Sequence, residues 1–386
     1  MRHIYEIRLY DEPLIEFEFV TDELGGQIPQ ILSHSGGREA VFPLDLPMTS
    51  EGLSLWLRRR VIPKNREFVE QILQTFGLTV DDTKGIIDVC KGLSLNDSYW
   101  VAPKEFGGAF AEYNMYEKPF SKILSLVAYT GVSRGDPMFS TSPELTTNGM
   151  LPKAWRFIKN DGIYLFKGGT SGASNTGNEP YSEYYASQIA ERMRLNAIHY
   201  DLVKWKGILA SKCELFTDIN TAYVPIGRIV TSGGLTAALK FYDQQGKEFA
   251  DSIRDMLVFD ALIYNTDRHF GNFGVLRDNR GGDIIAPAPL FDHGMSLFNF
   301  ATQKDLEDLD AYAKTRPSAF ENYSFENIVK SIGERRQAEQ LREMIGFRFE
   351  RHPKYNLPET RLKAIEAHIQ KRVARLIDLI GKPISR

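Results

Sequence analysis

Three side chains in the second half of the chain have the types and spacing that phosphoryl transfer requires. Asp267 and Asn272 lie in the run 265–272, and Asp292 follows beside a glycine in the run 291–294. Moving a phosphoryl group needs a carboxylate that orients the attacking hydroxyl, and oxygen ligands that hold magnesium on the phosphates. Asp267 can orient the hydroxyl. Asn272 and Asp292 can hold Mg²⁺, because this cation prefers carboxylate and amide oxygens and needs few protein ligands.

The residues around these motifs predict the elements that present them. Residues 256–264 are apolar apart from Asp260, which predicts a buried helix that delivers the run 265–272. Residues 273–276 predict a short strand, and residues 278–283 a turn into a second strand that ends near Phe291. Either motif alone has an ordinary interpretation as a helix cap or a surface turn. Their order, with a hairpin between them, favours the catalytic interpretation.

A lysine and a glutamate upstream are candidates for the remaining charged groups around a nucleotide. Residues 162–169 predict a strand ending near Lys167, where a lysine can reach phosphate oxygens. A helix is predicted to begin at Glu183, with Tyr185, Ile189 and Met193 on one face. Both charges also have structural explanations, since strand-end lysines are usually solvated and the helix dipole favours an acid at the amino terminus.

The segment before that strand is rich in hydroxyl groups. Residues 140–153 offer a glycine, several serines and threonines, and one lysine, which could satisfy phosphate oxygens through backbone amides and side chains. The segment lacks a Gly-x-Gly-x-x-Gly pattern, and taken alone it is typical of a polar loop. Its candidate nucleotide-binding residues are Thr146, Thr147, Asn148, Gly149 and Lys153.

Taken in order, these segments resemble the HipA-type serine/threonine kinases. The resemblance rests on the 146–153 loop, Lys167, the segment 214–216, the run 265–272 and Asp292, and it covers roughly residues 140–349. That family has a bilobal protein-kinase-like fold related to the phosphoinositide-kinase branch, and many members are the toxin half of bacterial toxin and antitoxin pairs. The resemblance implies an α+β fold with a small β-rich nucleotide lobe, a larger mostly helical lobe and an amino-terminal accessory region.

The resemblance also implies a role for each matched residue, with ATP and Mg²⁺ as cofactors. Asp267 would be the catalytic base, and Asn272 and Asp292 the magnesium ligands. The implied nucleotide contacts are Lys167 with its carboxylate partner Glu183, His269, the 146–153 loop, and the adenine-binding backbone at Glu214 and Phe216. A family serine in the loop can be autophosphorylated, which displaces the loop and silences the kinase, and in this chain Thr146 lies there.

Two positions depart from the family pattern. Gly271 stands where the family often has a lysine, so one positive charge near the transferring phosphate is missing. Arg268 or Lys153 could compensate for it. His293 follows the metal-binding Asp292 where the general kinase pattern has phenylalanine, which changes the packing behind Asp292 and not its ligand chemistry.

Length and composition are those of an intracellular globular enzyme. The chain has 386 residues, of which 42% are hydrophobic and 25% charged, which allows two or three domains. We predict an accessory region at 1–135, a nucleotide lobe at 136–220 and a helical catalytic lobe at 221–386. Cys90 and Cys213 are expected to be buried thiols, since two cysteines make neither a disulfide framework nor a zinc site. The charged amino terminus and the absence of a long apolar run predict a cytoplasmic protein that does not contact membranes.

Two further segments predict elements outside the motifs. Residues 14–20 alternate Ile15, Phe17 and Phe19 with acids in a strand pattern, and residues 361–380 form an amphipathic helix expected to pack on the large lobe. A net charge of −3 gives no reason to expect direct nucleic-acid binding.

The sequence leaves three functions open. The first is an ATP- and magnesium-dependent kinase of serine or threonine in a protein substrate, with autophosphorylation in the 140–147 loop and an antitoxin-like partner protein. The second is a catalytically silent nucleotide-binding interaction module, although two retained metal ligands argue against it. The third is a kinase of a non-protein acceptor, because the fold does not dictate the acceptor.

Overall fold

The computed structural model describes residues 3–23, 25–132, 142–147, 149–173 and 175–381. Of the predicted loop residues, Ser140, Thr141 and Asn148 lie outside these ranges. The chain forms two compact units. The first comprises Met1–Lys167, Leu215–Val224 and Leu276–Ile285, and the second Gly168–Glu214, Pro225–Val275 and Ala286–Arg386. The predicted domain boundaries after residues 135 and 220 stay predictions.

The first unit begins with an antiparallel sheet. Its strands are β1 (Ile4–Leu9), β2 (Glu12–Thr21), β3 (Gln27–His34) and β4 (Tyr99–Pro103), in the spatial order β3-β2-β1-β4. The strand predicted at 14–20 is confirmed within β2, where Ile15 and Phe17 are buried and Glu16 is partly covered. The predicted alternation is only partly kept, because Glu18 is also buried and Phe19 is only partly buried.

Five helices of the first unit follow or interrupt this sheet. They are α1 (Ser50–Arg58), α2 (Val69–Gln74), α3 (Thr83–Cys90), α4 (Phe110–Tyr113) and α5 (Lys122–Thr130). The apolar face of β2 belongs to a core that includes Trp56 of α1 and Ile86 of α3. Leu145, from the short 3₁₀ turn Pro143–Leu145, is fully buried in the same core.

A hairpin completes the described part of the first unit before residue 168. β5 (Lys153–Ile158) pairs antiparallel with β6 (Gly162–Gly168), which confirms the strand predicted around Lys167. In this register Lys153 lies directly opposite Lys167.

The second unit opens with a helix that differs from the prediction at its start. α6 spans Glu179–Arg192, so Glu183 lies one turn inside the helix and does not begin it. Pro180 in the first turn explains the earlier start. The φ of proline suits a helix, and the N–H groups of the first turn have no partner within the helix, so proline loses no hydrogen bond there. The predicted apolar face is confirmed, since Tyr185, Ile189 and Met193 are buried.

The remaining elements are strands and helices of short to moderate length up to the last helix. β7 (Tyr200–Trp205) pairs with β8 (Ile208–Glu214), and these are followed by β9 (Thr221–Pro225), α7 (Ile226–Ile229), α8 (Gly234–Gln245), α9 (Lys247–Ile263), β10 (Gly274–Asp278), β11 (Ile284–Pro287), α10 (Gln303–Glu307), α11 (Leu309–Ala313), α12 (Phe325–Ile332), α13 (Arg335–Glu343) and α14 (Glu359–Gly381). β10 and β11 confirm the predicted strands, although β11 ends before Phe291.

Two helices organise the core of the second unit. α9 is buried over 255–263, as its apolar sequence predicts, and ends at Tyr264, whose left-handed conformation stops the helix. α14 contacts α9, α12 and α13, and its Leu362, Ile369 and Leu376 are buried, which confirms its predicted packing. None of the helices in the described part of the chain is both long enough and apolar enough to cross a bilayer.

The two cysteines differ in their surroundings. Cys90 is buried, and burial raises the pKa of its thiol to about 12, so it is an inert core residue. Cys213 is only partly covered, so the prediction of a buried thiol is confirmed for Cys90 alone.

Candidate active site

The run 265–272 forms a tightly bonded loop directly after α9. The Asp267 carbonyl accepts hydrogen bonds from the backbone N–H of His269 at 2.8 Å and from Nδ2 of Asn272 at 3.1 Å. The N–H of Asp267 donates to Oδ1 of Asn265 at 3.2 Å. Asn272 is thus held through its amide nitrogen, so its amide oxygen is the atom that the predicted ligand role would use, while Asp267 is exposed. A catalytic base must be accessible to the hydroxyl group of the substrate, and the exposure of Asp267 is consistent with that role.

Arg268 is the centre of the hydrogen-bond network beneath this loop. Its side chain is 1% exposed and makes a bidentate ion pair with Asp260 of α9, with Nε to Oδ2 at 2.9 Å and Nη2 to Oδ1 at 3.0 Å. Burial lowers the pKa of Arg268, but the charge and hydrogen bonds of Asp260, together with the charges of Asp292 and Glu183, hold that pKa above its usual value. The expectation that Arg268 compensates for the missing lysine at 271 is therefore wrong, because its charge is committed to a buried carboxylate.

Arg268 also connects the two predicted catalytic segments. Its Nη1 donates to the carbonyl of Asn272 at 2.9 Å and to the carbonyl of Phe291 at 2.6 Å. The two carbonyl oxygens therefore lie no farther apart than the sum of these two distances. Arginine suits this position because its planar fork carries several donors in fixed directions.

The turn that carries Asp292 is held at three successive residues by three different side chains. The Phe291 carbonyl accepts from Arg268, the Asp292 N–H donates to Oη of Tyr200 at 3.0 Å, and the His293 N–H donates to Oε2 of Glu183 at 2.6 Å. Asp292 has a φ of 58°, an uncommon conformation that a non-glycine residue keeps only where its surroundings fix it.

Glu183 and Tyr200 take part in this turn as buried groups. Glu183 has no exposed surface, which excludes the alternative that it is merely a charge at the start of a helix. Burial, and after it the charge of Glu183, raises the pKa of Tyr200 well above its usual value. The phenol therefore remains protonated, and its oxygen accepts the Asp292 N–H. The pairing of Glu183 with Lys167 stays a prediction.

The donor set of this site is suited to magnesium held mainly by a nucleotide. Among the described residues, no group of three or more histidine, cysteine, aspartate or glutamate side chains could hold a metal by itself. Asn272 and Asp292 offer one amide and one carboxylate oxygen, and Mg²⁺ usually binds one or two carboxylates and completes its shell with water and phosphate. The residues fit such an ion, and their ligand roles stay predictions.

The phosphate-loop candidates lie in the first unit. Two of the hydroxyls are turned inward, since Oγ1 of Thr147 donates to the Pro143 carbonyl at 2.6 Å and Oγ1 of Thr146 to the same carbonyl at 3.3 Å. Gly149 has a φ of 94°, and a Cβ atom added to it would overlap the ammonium nitrogen of Lys153. The lysine therefore extends along the loop, against the glycine backbone.

Lys153 and Lys167 form a same-sign pair in the first unit. Residues directly opposite in an antiparallel pair project their side chains from the same face, and like charges there repel. Lys153 is buried and Lys167 is half-buried, so water screens this repulsion incompletely. The buried carboxylate of Glu144 also interacts with the charge of Lys153. Two cations on one face suit phosphate oxygens, and the phosphate contacts of both lysines stay predictions.

The remaining predicted contacts lie in two separate segments. Glu214 ends β8, and Phe216 follows Leu215, whose N–H donates to the Ile163 carbonyl at 2.8 Å. His269 is exposed, and its Nδ1 accepts from the Gly271 N–H at 3.0 Å. The nucleotide contacts assigned to Glu214, Phe216 and His269 stay predictions.

Gly271 has a local reason to lack a side chain. A Cβ atom at this position would lie 2.8 Å from Cε1 and 2.9 Å from Nδ1 of His269. A lysine at 271 would therefore displace the His269 ring. The position of this ring explains why glycine stands where the family often has lysine.

Asp260, Tyr200 and Arg66 are functional candidates that the sequence did not identify. Asp260 had a signal, because it is the single acid in an apolar helix segment eight residues before Arg268. Tyr200 and Arg66 had none, since each acts on a residue far away in sequence.

A search with family models and a search of curated protein sequences both find no match. Comparison with solved structures finds HipA of Shewanella oneidensis MR-1, in a complex with HipB and its operator DNA. It matches with a TM-score of 0.55 and 14% identity over 98% of this chain and 100% of that one. The chain has the HipA-type kinase fold.

This fold confirms the predicted α+β, protein-kinase-like class over nearly the whole chain, well beyond the range 140–349 of the sequence resemblance. The proinflammatory kinase CtkA of Helicobacter pylori also matches, at 21% identity over 59% of this chain and 92% of that one, with a TM-score of 0.46.

Proposed function

We propose that this chain is an ATP- and Mg²⁺-dependent kinase that phosphorylates serine or threonine in a protein. The observation that carries the proposal is the position of Arg268, whose Nη1 joins the backbone of Asn272 to that of Phe291. In a HipA-type fold, this bond brings the loop of the candidate base next to the turn of the candidate metal ligand.

Each group then has a defined task. The exposed Asp267 carboxylate accepts a hydrogen bond from the acceptor hydroxyl and orients it toward the phosphate. Asn272 and Asp292 supply the oxygen ligands for Mg²⁺, which when bound neutralises charge on the phosphates. Lys153 and Lys167, on one face of their hairpin in the first unit, offer two positive charges suited to the phosphates of a nucleotide. The network around Arg268 keeps this geometry without reorganisation during the reaction.

We propose autophosphorylation in the 140–147 loop as a regulatory step that requires the loop to open. Ser142 has no exposed surface, and the hydroxyls of Thr146 and Thr147 bond to the Pro143 carbonyl. A phosphate cannot reach the buried hydroxyls of Ser142 and Thr146 while the turn is closed, whereas Thr147 is only partly covered. Modification within the described part of this loop would therefore follow its release from the core.

An antitoxin-like protein partner is part of this proposal. The Shewanella HipA structure contains HipB and operator DNA. By analogy, the partner of this chain would be a HipB-like protein. Contact with DNA would come through that partner, since a net charge of −3 gives this chain no general attraction for nucleic acid.

The test is intact-mass spectrometry of the purified chain before and after incubation with Mg²⁺ and ATP. The wild type should gain phosphate, and Asp267→Asn and Asp292→Asn should each slow the gain by about 10² to 10⁴-fold. Asp243→Asn is the control, because Asp243 is a half-exposed aspartate of the same unit that pairs only with Arg254 in the described contacts. It should behave as wild type.

Peptide mapping then decides among the alternatives. Phosphate in residues 140–147 supports self-modification. Binding of ATP with no transfer, to itself or to a mixture of general protein substrates, would support the silent binding module. Transfer by Asp267→Asn at the wild-type rate would remove Asp267 from the role of base.

A further inference from the structure

Arg66, in the amino-terminal part of the first unit, holds the phosphate-loop segment through four hydrogen bonds. Nη1 donates to the carbonyls of Glu144 at 3.0 Å and Thr147 at 3.1 Å, and Nη2 donates to the Lys153 carbonyl at 3.0 Å. Nη2 also forms an ion pair with Oε2 of Glu144 at 2.6 Å, and neither side chain has any exposed surface. One guanidinium thus fixes the turn at 143–147 and the first residue of β5.

Two further bonds extend this attachment along the segment. Oε1 of Glu144 accepts from the Trp155 N–H at 2.8 Å, and the Glu67 N–H donates to the Met150 carbonyl at 2.9 Å. Burial raises the pKa of Glu144, and the positive charge of Arg66 opposes that rise. The arginine beside this carboxylate offsets part of the free-energy cost of burying its charge.

The segment that Arg66 holds is the one that carries the phosphate-site lysine. Lys153 lies opposite Lys167, and its ammonium lies against the Gly149 backbone. A shift of the Lys153 backbone would change the distance between the Lys153 and Lys167 charges and the shape of the loop. The electrostatic binding of phosphate depends on the positions of these charges and of the loop backbone.

We propose that Arg66 is a positioning residue for the nucleotide phosphates, and that the amino-terminal region acts on phosphate binding through it. This inference rests on the proposed nucleotide site. It gives residues before 140 a specific task, namely to keep residues 142–147 and 149–153 in their phosphate-binding shape. The adenine-binding part of the site does not depend on this ion pair.

The test compares two ligands on matched variants. Arg66→Met should weaken binding of a non-hydrolysable ATP analogue with Mg²⁺ by about tenfold or more, and change adenosine binding less than about twofold, by titration calorimetry. In turnover the same variant should raise KM for ATP more than it lowers kcat. Hydrogen exchange should accelerate at the amides of residues 142–155, including that of Trp155.

Arg60→Met is the matched control. Arg60 is also a buried arginine of the first unit, paired with Asp97 through Nη2 to Oδ1 at 2.6 Å and bonded to the Gly92 and Tyr99 carbonyls, and these contacts do not involve the loop. Its loss should destabilise the unit without changing the ratio of ATP-analogue to adenosine affinity. Should Arg66→Met not fold, Glu144→Gln keeps the shape, removes the charge and should change the ratio in the same direction.

The outcomes separate the two proposals. Equal losses of both ligands, or the same ratio in the Arg66 and Arg60 variants, would overturn the positioning role. If the wild type binds neither ligand, the proposed function fails. Hydrogen exchange still decides the attachment in that case, because unchanged protection of residues 142–155 in Arg66→Met would contradict it.

Discussion

Removing the positive charge of Arg268 should lower both the unfolding free energy and kcat, and a second substitution should restore only the unfolding free energy. Arg268 and Asp260 are 1% and 3% exposed, so Arg268→Met leaves a charged carboxylate buried without its counter-ion. Breaking a buried pair in this way costs about 3 to 5 kcal/mol of unfolding free energy. The variant also loses both donors to the Asn272 and Phe291 carbonyls, so the two candidate catalytic segments lose this connection.

A second substitution should recover the stability alone. Asp260→Asn together with Arg268→Met removes the unpaired charge. The new amide oxygen at position 260 can still accept from Nδ2 of Asn265, which bonds Asp260 at 3.0 Å in the native chain. Unsatisfied neutral groups cost about 1 to 3 kcal/mol, so the double variant should be roughly 2 kcal/mol more stable than Arg268→Met. Neither variant restores the bonds to the loop, and both should keep a kcat lowered by about 10²-fold.

Urea unfolding gives the free energies, and intact-mass kinetics with Mg²⁺ and ATP give the rates. Arg372→Met is the control, since Arg372 is buried, pairs with Glu326 at 3.0 Å and bonds the Ala261 carbonyl of the same helix α9. It should cost stability without a comparable loss of kcat. A double variant that regains kcat together with stability would contradict this prediction, because Arg268 would then act through stability alone.

Three further outcomes follow from the same geometry. Tyr200→Phe removes the acceptor of the Asp292 N–H, so we expect a loss of about 1 to 3 kcal/mol in urea unfolding and a lower kcat with little change in KM for ATP. Gly271→Ala should displace the His269 ring and raise KM for ATP by the same factor as His269→Ala, and the double variant should show no further rise, whereas additive effects would contradict a shared cause. Burial lowers the pKa of His368, so the unfolded chain binds more protons below about pH 6.5, and unfolding free energy should fall from pH 7 to pH 5.5 less steeply in His368→Gln than in wild type.

The sequence was most informative where chemistry and structure depend on neighbouring residues. The loop 265–272, the buried helix before it and the strands β10 and β11 follow from spacing and apolar pattern, and the structure has all of them. The face of α6 was also correct. Its start was not, because the prediction took the acid at 183 as a terminal charge and overlooked Pro180, which lies in the first turn of a helix that begins at Glu179.

The contacts that fix the site could not be predicted in the same way. Glu183 meets the His293 N–H across 110 residues, Tyr200 meets Asp292 across 92, and Arg66 meets Glu144 across 78. Spacing rules for helices and strands reach only a few residues along the chain. Arg268 shows the same limit, since its type and position fitted a phosphate contact until its buried partner Asp260 was known.

Buried arginines have a physical advantage at these positions over the apolar side chains that fill the rest of the core. The backbone carbonyls of a catalytic or phosphate-binding loop receive no hydrogen bond from a helix or strand. A buried carbonyl without a donor costs free energy. Arg268 satisfies two such carbonyls and Arg66 three, while a single carboxylate, Asp260 or Glu144, balances the charge of each. An apolar residue of similar volume could stabilise the core as well. It could not specify where the loop backbone lies, and the position of that backbone is what phosphoryl transfer requires.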